Sequence, residues 1–332
     1  MVNDLILKDT TKDEWEAIRE RIKARITENL GICPEPYFPK EAKFEEIERY
    51  NKHGFEHIKI KYRVFSDEWA YAVIVLPKNI KEVGKARAIL TLHGTNGVKG
   101  KYGMMSPETT PKRAYALELA DRGFVTISPD QFGFGEAMEC ESEKAKLDNF
   151  YTDYPEWSLT GRRLLGHIRA ADVLDSLDYV IKGGYGVMGN SLGGQAALYL
   201  AGMDERIGAA VVSTGISPFA TNAYRLTHTE LPLHPHEAKM LEKNGKSPWE
   251  LNEMIGLCAP RAAMFIEPFN DPYNPYSSTS IDCVKSAHKV YSLLNVPEKL
   301  SLHLHGDGHD TVTEVRNMAY SWLEKFLKII KN

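Results

Sequence analysis

Between residues 57 and 305 the chain alternates short apolar runs with longer amphipathic stretches, and that alternation predicts its elements. His57-Ile58-Lys59-Ile60-Lys61-Tyr62 has a period of two, as in a strand with one exposed face, and Trp69 to Leu76 is its expected antiparallel partner. Apolar runs near 86–92, 123–128, 184–189, 208–214, 261–267 and 299–305 predict buried strands separated by helical stretches. This alternation predicts an α/β fold, with a mainly parallel central sheet covered by helices on both faces. Upstream, Thr11-Lys12-Asp13-Glu14 has the form of a capping box. Trp15, Ile18, Ile22, Ile26 and Leu30 then mark one face of a helix that Gly31 ends. That stripe needs a cover. Docking on the chain's own core is expected, with a dimer contact or a pocket wall as alternatives. The expected organisation is an N-terminal helical extension over 1-54 and one large domain over 55-332, with inserts at about 136-157 and 216-249.

One segment interrupts the pattern chemically. Gly189-Asn190-Ser191-Leu192-Gly193-Gly194 joins the apolar run Tyr185-Gly186-Val187-Met188 to the helix former series Gln195-Ala196-Ala197-Leu198. A serine between glycines at a strand-to-helix turn is a nucleophile elbow, in which close packing demands glycine and the serine hydroxyl is left exposed. A hydroxyl needs a base, and the base an orienting acid. His309, on the loop Gly306-Asp307-Gly308-His309-Asp310, is the expected base. His303 and His305 share a face inside the preceding strand, where packing or hydrogen bonding is the expected role, with His305 the second candidate base. Asp271, on the loop after Ala262-Ala263-Met264-Phe265-Ile266-Glu267, is the expected acid; Glu267 at the strand end is the reserve, and a self-capped Asp-Pro turn is the competing reading of Asp271.

Charge that develops on a reacting carbonyl needs preorganised donors. The backbone N–H of Leu192, at a helix N-terminus, is the first expected donor. The second is expected from the loop His93-Gly94-Thr95-Asn96-Gly97 after the apolar run 88–92: the Thr95 amide, with Gly94 as its neighbour and substitute. His93 is read as an anchor of that loop rather than a second base.

With these residues in place, the chain resembles a serine hydrolase of the α/β-hydrolase fold, of the dienelactone hydrolase-like and acetyl xylan esterase-like kind. The matching segments are Leu92-His93-Gly94, the Ser191 elbow, Ala259-Pro260-Arg261, Asp271 through Pro275, and Gly308-His309-Asp310. Phe124 to Asp130 with Gly133-Phe134-Gly135 also resembles such proteins, and Asp130 is read as a turn-forming residue. The resemblance spans roughly residues 55 to 330. It implies a carboxylesterase-type enzyme that cleaves a carboxylic ester of modest acyl size through an acyl-enzyme intermediate. A prolyl oligopeptidase-like peptidase, a thioesterase or lactonase, and a non-catalytic binding module of the same fold are the alternatives.

Composition narrows the partners. A formal charge of −4 over 332 residues, without a basic stripe, argues against nucleic acid. Nowhere do about eighteen apolar residues run together, and no basic-then-apolar leader opens the chain, so a cytoplasmic protein without membrane contact is expected. Cys33, Cys140, Cys258 and Cys283 lack paired metal spacing and are expected as reduced thiols. His228, His234 and His236 are read as parts of a solvated Pro-rich loop rather than a metal site. No metal or cofactor is expected. The expected partner is a small-molecule ester, walled by the two inserts, and the oligomeric state, homo-oligomer or not, stays open.

Overall fold

The computed structural model describes residues 2–37, 41–95, 97–137, 143–222, 239 and 242–327. It opens with helix α1 (Lys12–Leu30) and strands β1 (Phe44–Lys52), β2 (Phe55–Phe65) and β3 (Glu68–Leu76). After a short helix α2 (Ile80–Val83), β4 (Ala88–Leu92), α3 (Tyr115–Asp121), β5 (Val125–Pro129), α4 (Glu143–Asp153), α5 (Leu159–Ser176), β6 (Tyr185–Asn190), α6 (Leu192–Met203) and β7 (Ile207–Ser213) follow. The chain then runs through α7 (Leu251–Cys258), β8 (Ala262–Pro268), α8 (Ser277–Leu293), β9 (Leu300–His305) and α9 (Thr313–Leu327).

The described strands form one sheet in the order β1-β2-β3-β5-β4-β6-β7-β8-β9. The β1–β2, β2–β3 and β3–β5 pairs are antiparallel, and every pair from β5 to β9 is parallel. Successive side chains on a strand face opposite ways, and here both ways are apolar. Ile74, Leu90, Val187, Val212 and Phe265 pack toward α1, α5, α6, α7 and α8. Val73, Ile89, Met188, Val211 and Met264 pack toward α3 and α9. The mainly parallel sheet, covered on both faces, is therefore as the periodicity implied.

Helix α1 carries the expected capping box: Thr11 Oγ1 accepts the Glu14 N–H, and Glu14 Oε2 accepts the Thr11 N–H at 2.7 Å. Trp15, Ile22, Ile26 and Leu30 are buried in the protein's own core, and Trp15 packs on Gly256 of α7. One strand differs from the sequence reading. β1 joins the sheet through β2, so the boundary drawn at residue 54 falls in the β1–β2 turn. Its sequence Phe-Glu-Glu-Ile-Glu-Arg-Tyr-Asn-Lys is mostly exposed on both faces. A charged edge strand resists pairing with other chains and carries no alternation to betray it.

The first insert folds in part as α4 and sends Phe150, Tyr154 and Trp157 into an aromatic cluster with Phe65 and Phe132. Most of the second insert, including His228, His234 and His236, lies outside the described residues, as does Cys140; Cys33, Cys258 and Cys283 are free. No helix among the described residues is long and apolar enough to cross a membrane.

Candidate functional site

Parallel strands deliver their carboxyl ends to one edge of the sheet, and at that edge the expected site residues leave their strands. Ser191 follows β6, Asp271 follows β8 and His309 follows β9; residues 93–95 follow β4. Ser191 has φ 59° and ψ −124°, a backbone conformation that costs a non-glycine residue about 1–3 kcal/mol, and it stands at the head of α6. Two bonds hold its N–H there, to Ser213 O at 2.9 Å and to Thr214 Oγ1 at 2.9 Å. The turn is tight enough that a Cβ on Gly189 would strike the Gly193 carbonyl, and one on Gly193 the Leu92 carbonyl.

Asp271 and His309 form a direct pair, Oδ2 to Nδ1 at 2.7 Å. The other carboxylate oxygen, Oδ1, accepts the N–H of Tyr273 at 2.7 Å and of Asn274 at 3.3 Å. The self-capped turn and the histidine contact thus coexist, one on each oxygen. Burial opposes the charge of Asp271, but the bonds from His309 and these amides outweigh it and hold the carboxyl below its usual range. The Tyr273 ring meets the His309 ring edge-on at 4.7 Å between centroids. Glu267, by contrast, is wholly inside: burial raises its carboxyl to about 8, the Asp271 charge adds to the rise, and Glu267 Oε1 accepts the Ile216 N–H at 3.2 Å. At neutral pH it is a protonated support for the turn after β7. His305 is buried, its Nδ1 accepts the Asp307 N–H at 3.2 Å, and its ring stacks on His303.

On the other side of the elbow, Gly94 runs so close that a Cβ there would lie 3.5 Å from Ser191 Cβ. Thr95 is exposed beside it. His93 is fully buried. Its Nε2 accepts the Gln131 N–H at 2.9 Å, so the proton sits on Nδ1, which donates to Gly94 O at 2.7 Å. Burial lowers the His93 basicity, and Gln131 Nε2 donates back to His93 O. This is a loop anchor, as its sequence position implied.

Three groups of supporting residues escaped the sequence reading. Asn190 Nδ2 donates to Thr214 Oγ1 at 2.9 Å and to Ser213 Oγ at 3.2 Å, and Ser213 Oγ lies 2.8 Å from Thr311 Oγ1, so small hydroxyls tie the elbow to the His309 loop. Arg113 donates to His309 O at 2.9 Å and to Asp310 Oδ1 at 2.8 Å, clamping that loop from outside. Lys101, fully buried, meets Asp130 Oδ2 at 2.6 Å and Glu136 Oε1 at 2.9 Å, while the Lys101 and Glu136 amides donate to Asp130. Asp130 is a turn residue, as read, but its cation partner left no periodic signal.

No protein-family model and no curated protein matches the chain. Solved structures do. A glucuronoyl esterase from Solibacter usitatus superposes with TM-score 0.74 at 16% identity, over 96% of this chain and 96% of that one. A presumed acetyl xylan esterase from Bacteroides fragilis gives 0.67 at 17% identity, over 91% and 78%. A glucuronoyl esterase of carbohydrate esterase family 15 from Caldicellulosiruptor kristjansonii gives 0.66 at 17% identity, over 99% and 91%. With the sheet order, the strand directions and the elbow already described, these likenesses establish that the chain has the α/β-hydrolase fold.

Proposed function

We propose that this chain is a serine esterase that cleaves carboxylic esters of modest acyl size by two-step acyl transfer. Ser191 attacks the ester carbonyl while His309 takes its proton; the backbone N–H groups of Leu192 and Thr95 hold the oxyanion; the alcohol leaves, protonated by His309; and His309 then activates the water that releases the acid. Asp271 stays ionised and keeps the His309 proton on Nδ1, which leaves Nε2 to face the serine. The observation that carries this reading is the 2.7 Å Asp271–His309 pair on the same sheet edge as a serine held at φ 59°. Asp271 is preferred to Glu267 because Glu267 is buried and protonated at neutral pH. The structural neighbours named as esterases support an ester over a peptide bond.

A panel of p-nitrophenyl esters of increasing chain length, run beside aminoacyl p-nitroanilides with wild type and Ser191→Ala, tests it. Ester turnover that disappears in Ser191→Ala is the expected result. Anilide turnover without ester turnover would assign a peptidase, and unchanged turnover in folded Ser191→Ala would remove the serine from the chemistry.

A further inference from the structure

Two residues at the site hold a left-handed backbone without being glycine: Ser191 at φ 59° and Thr214 at φ 49°. For a β-branched residue such a backbone is an outlier, and it persists only where the surroundings over-determine it. Thr214 stands in the turn after β7, and that turn is clamped. The Thr214 N–H donates to Ile266 O at 2.8 Å, and the Ile216 N–H donates to Glu267 Oε1 at 3.2 Å, both on β8. From the other side, a Cβ on Gly215 would lie 2.5 Å from the Gly194 carbonyl carbon in the first turn of α6. The turn is thus fixed against the elbow.

What the strained residue presents there is one oxygen. Thr214 Oγ1 accepts the Ser191 N–H at 2.9 Å and the Asn190 Nδ2 amide at 2.9 Å. A hydroxyl has two lone pairs, and both are spent on consecutive residues of the elbow. The Ser191 N–H also donates to Ser213 O at 2.9 Å, a bond that continues the β6–β7 pairing whatever the side chain at 214. The bond to Oγ1 depends on that side chain alone. Two acceptors restrain the direction of one N–H more narrowly than a single acceptor does, and that direction fixes the tilt of the peptide entering Ser191. Asn190 Nδ2 reaches on to Ser213 Oγ at 3.2 Å, which lies 2.8 Å from Thr311 Oγ1 on the His309 loop. One oxygen therefore grips the nucleophile's backbone and joins it to the network that ends on the loop of the base.

We propose that Thr214 is a positioning residue for the nucleophile: its hydroxyl oxygen, and not its methyl group, holds the Ser191 backbone at the tilt from which Oγ attacks and from which the Leu192 N–H meets the oxyanion. This rests on the esterase reading above and adds to it a residue that acts on the reacting atoms only through Ser191.

Three substitutions separate the oxygen from the rest of the side chain. Thr214→Val keeps the branched shape and removes the acceptor, and neither donor is orphaned, since Ser213 still takes both. Thr214→Ser keeps the acceptor and removes the methyl. Thr214→Gly removes both but suits the backbone, and serves if Thr214→Val does not fold. With p-nitrophenyl acetate at neutral pH, Thr214→Val and Thr214→Gly should lower kcat and kcat/KM together by about ten- to a hundredfold, because small misplacements at the reacting atoms are costly. Thr214→Ser should recover kcat to within about threefold of wild type. A kcat within about threefold of wild type in folded Thr214→Val would overturn the proposal whatever the thermal midpoint, since the hydroxyl would then serve stability alone. An equal fall in Thr214→Ser and Thr214→Val would overturn it in favour of methyl packing. A fall in kcat/KM with kcat intact would mark uniform substrate binding and overturn it too. Turnover that is absent in wild type, or that persists in Ser191→Ala, would instead overturn the esterase reading, and the role of Thr214 with it.

Discussion

Asp271 and His309 meet at 2.7 Å through Oδ2 and Nδ1, and the same Asp271 closes its own turn through Oδ1. Both carboxylate oxygens are therefore engaged at once. A side chain whose second oxygen is held by backbone amides is restrained from swinging away from the ring.

Asp271→Asn keeps the shape but can donate to Nδ1 and select the wrong tautomer. It should lower kcat by several orders of magnitude, about 10⁴-fold in the best-studied triad. Glu267→Gln, a neutral replacement for a neutral acid, should lower kcat far less at pH 7. Steady-state kinetics on p-nitrophenyl acetate decides; the reverse ranking would make Glu267 the acid.

Ser191 is strained by its φ of 59°, which glycine tolerates. Ser191→Gly should abolish ester turnover and yet raise stability by about 1 kcal/mol, read as a higher thermal midpoint. Equal midpoints for wild type and Ser191→Gly would mean that the elbow stores no strain.

Burial pushes the Glu267 carboxyl up to about 8, above its ordinary value of 4.5. The sign follows directly: the folded state binds the proton more tightly, so this contribution to stability is fully present below the ordinary value and is lost as pH rises through about 8. Glu267→Gln, which cannot ionise, should match wild type in thermal midpoint near pH 4 and exceed it increasingly toward pH 8. A constant difference across that range would contradict the buried, protonated state.

Lys101 lies with Asp130 at 2.6 Å, both side chains fully buried. Lys101→Met fills similar space but leaves Asp130 charged and uncompensated, which typically costs about 3–5 kcal/mol. Urea unfolding should show a large drop in midpoint. A drop within about 1 kcal/mol would mean that the Lys101 and Glu136 amides suffice for Asp130.

Arg113 donates to the His309 loop at His309 O and at the Asp310 carboxylate. Arg113→Ala should lower kcat by roughly ten- to a hundredfold through misplacement of the imidazole, with little change in KM, and Arg113→Lys should recover part of the loss. A fall in KM-linked binding alone would place Arg113 in substrate contact instead.

What the sequence determined by itself was whatever is local. Period-two and apolar runs put β2 to β9 within a few residues of their observed bounds, because β2 alternates buried and partly exposed positions and β4 to β8 are buried on both faces, and their composition says so. The glycine spacing around Ser191 was legible because backbone crowding within six residues leaves no alternative to glycine at Gly189 and Gly193. Strand β1 was not legible, since an exposed edge strand answers to pairing with β2 rather than to burial of its own side chains. The tertiary structure alone decided which oxygen of Asp271 meets His309, that Lys101 neutralises Asp130 across 29 positions, and that the Thr214 hydroxyl meets the Asn190 side-chain amide across 24 positions. Those relationships join side chains from separate strands, helices and loops. Their energies depend on distances and on exclusion of water, and neither quantity exists until the sheet has assembled.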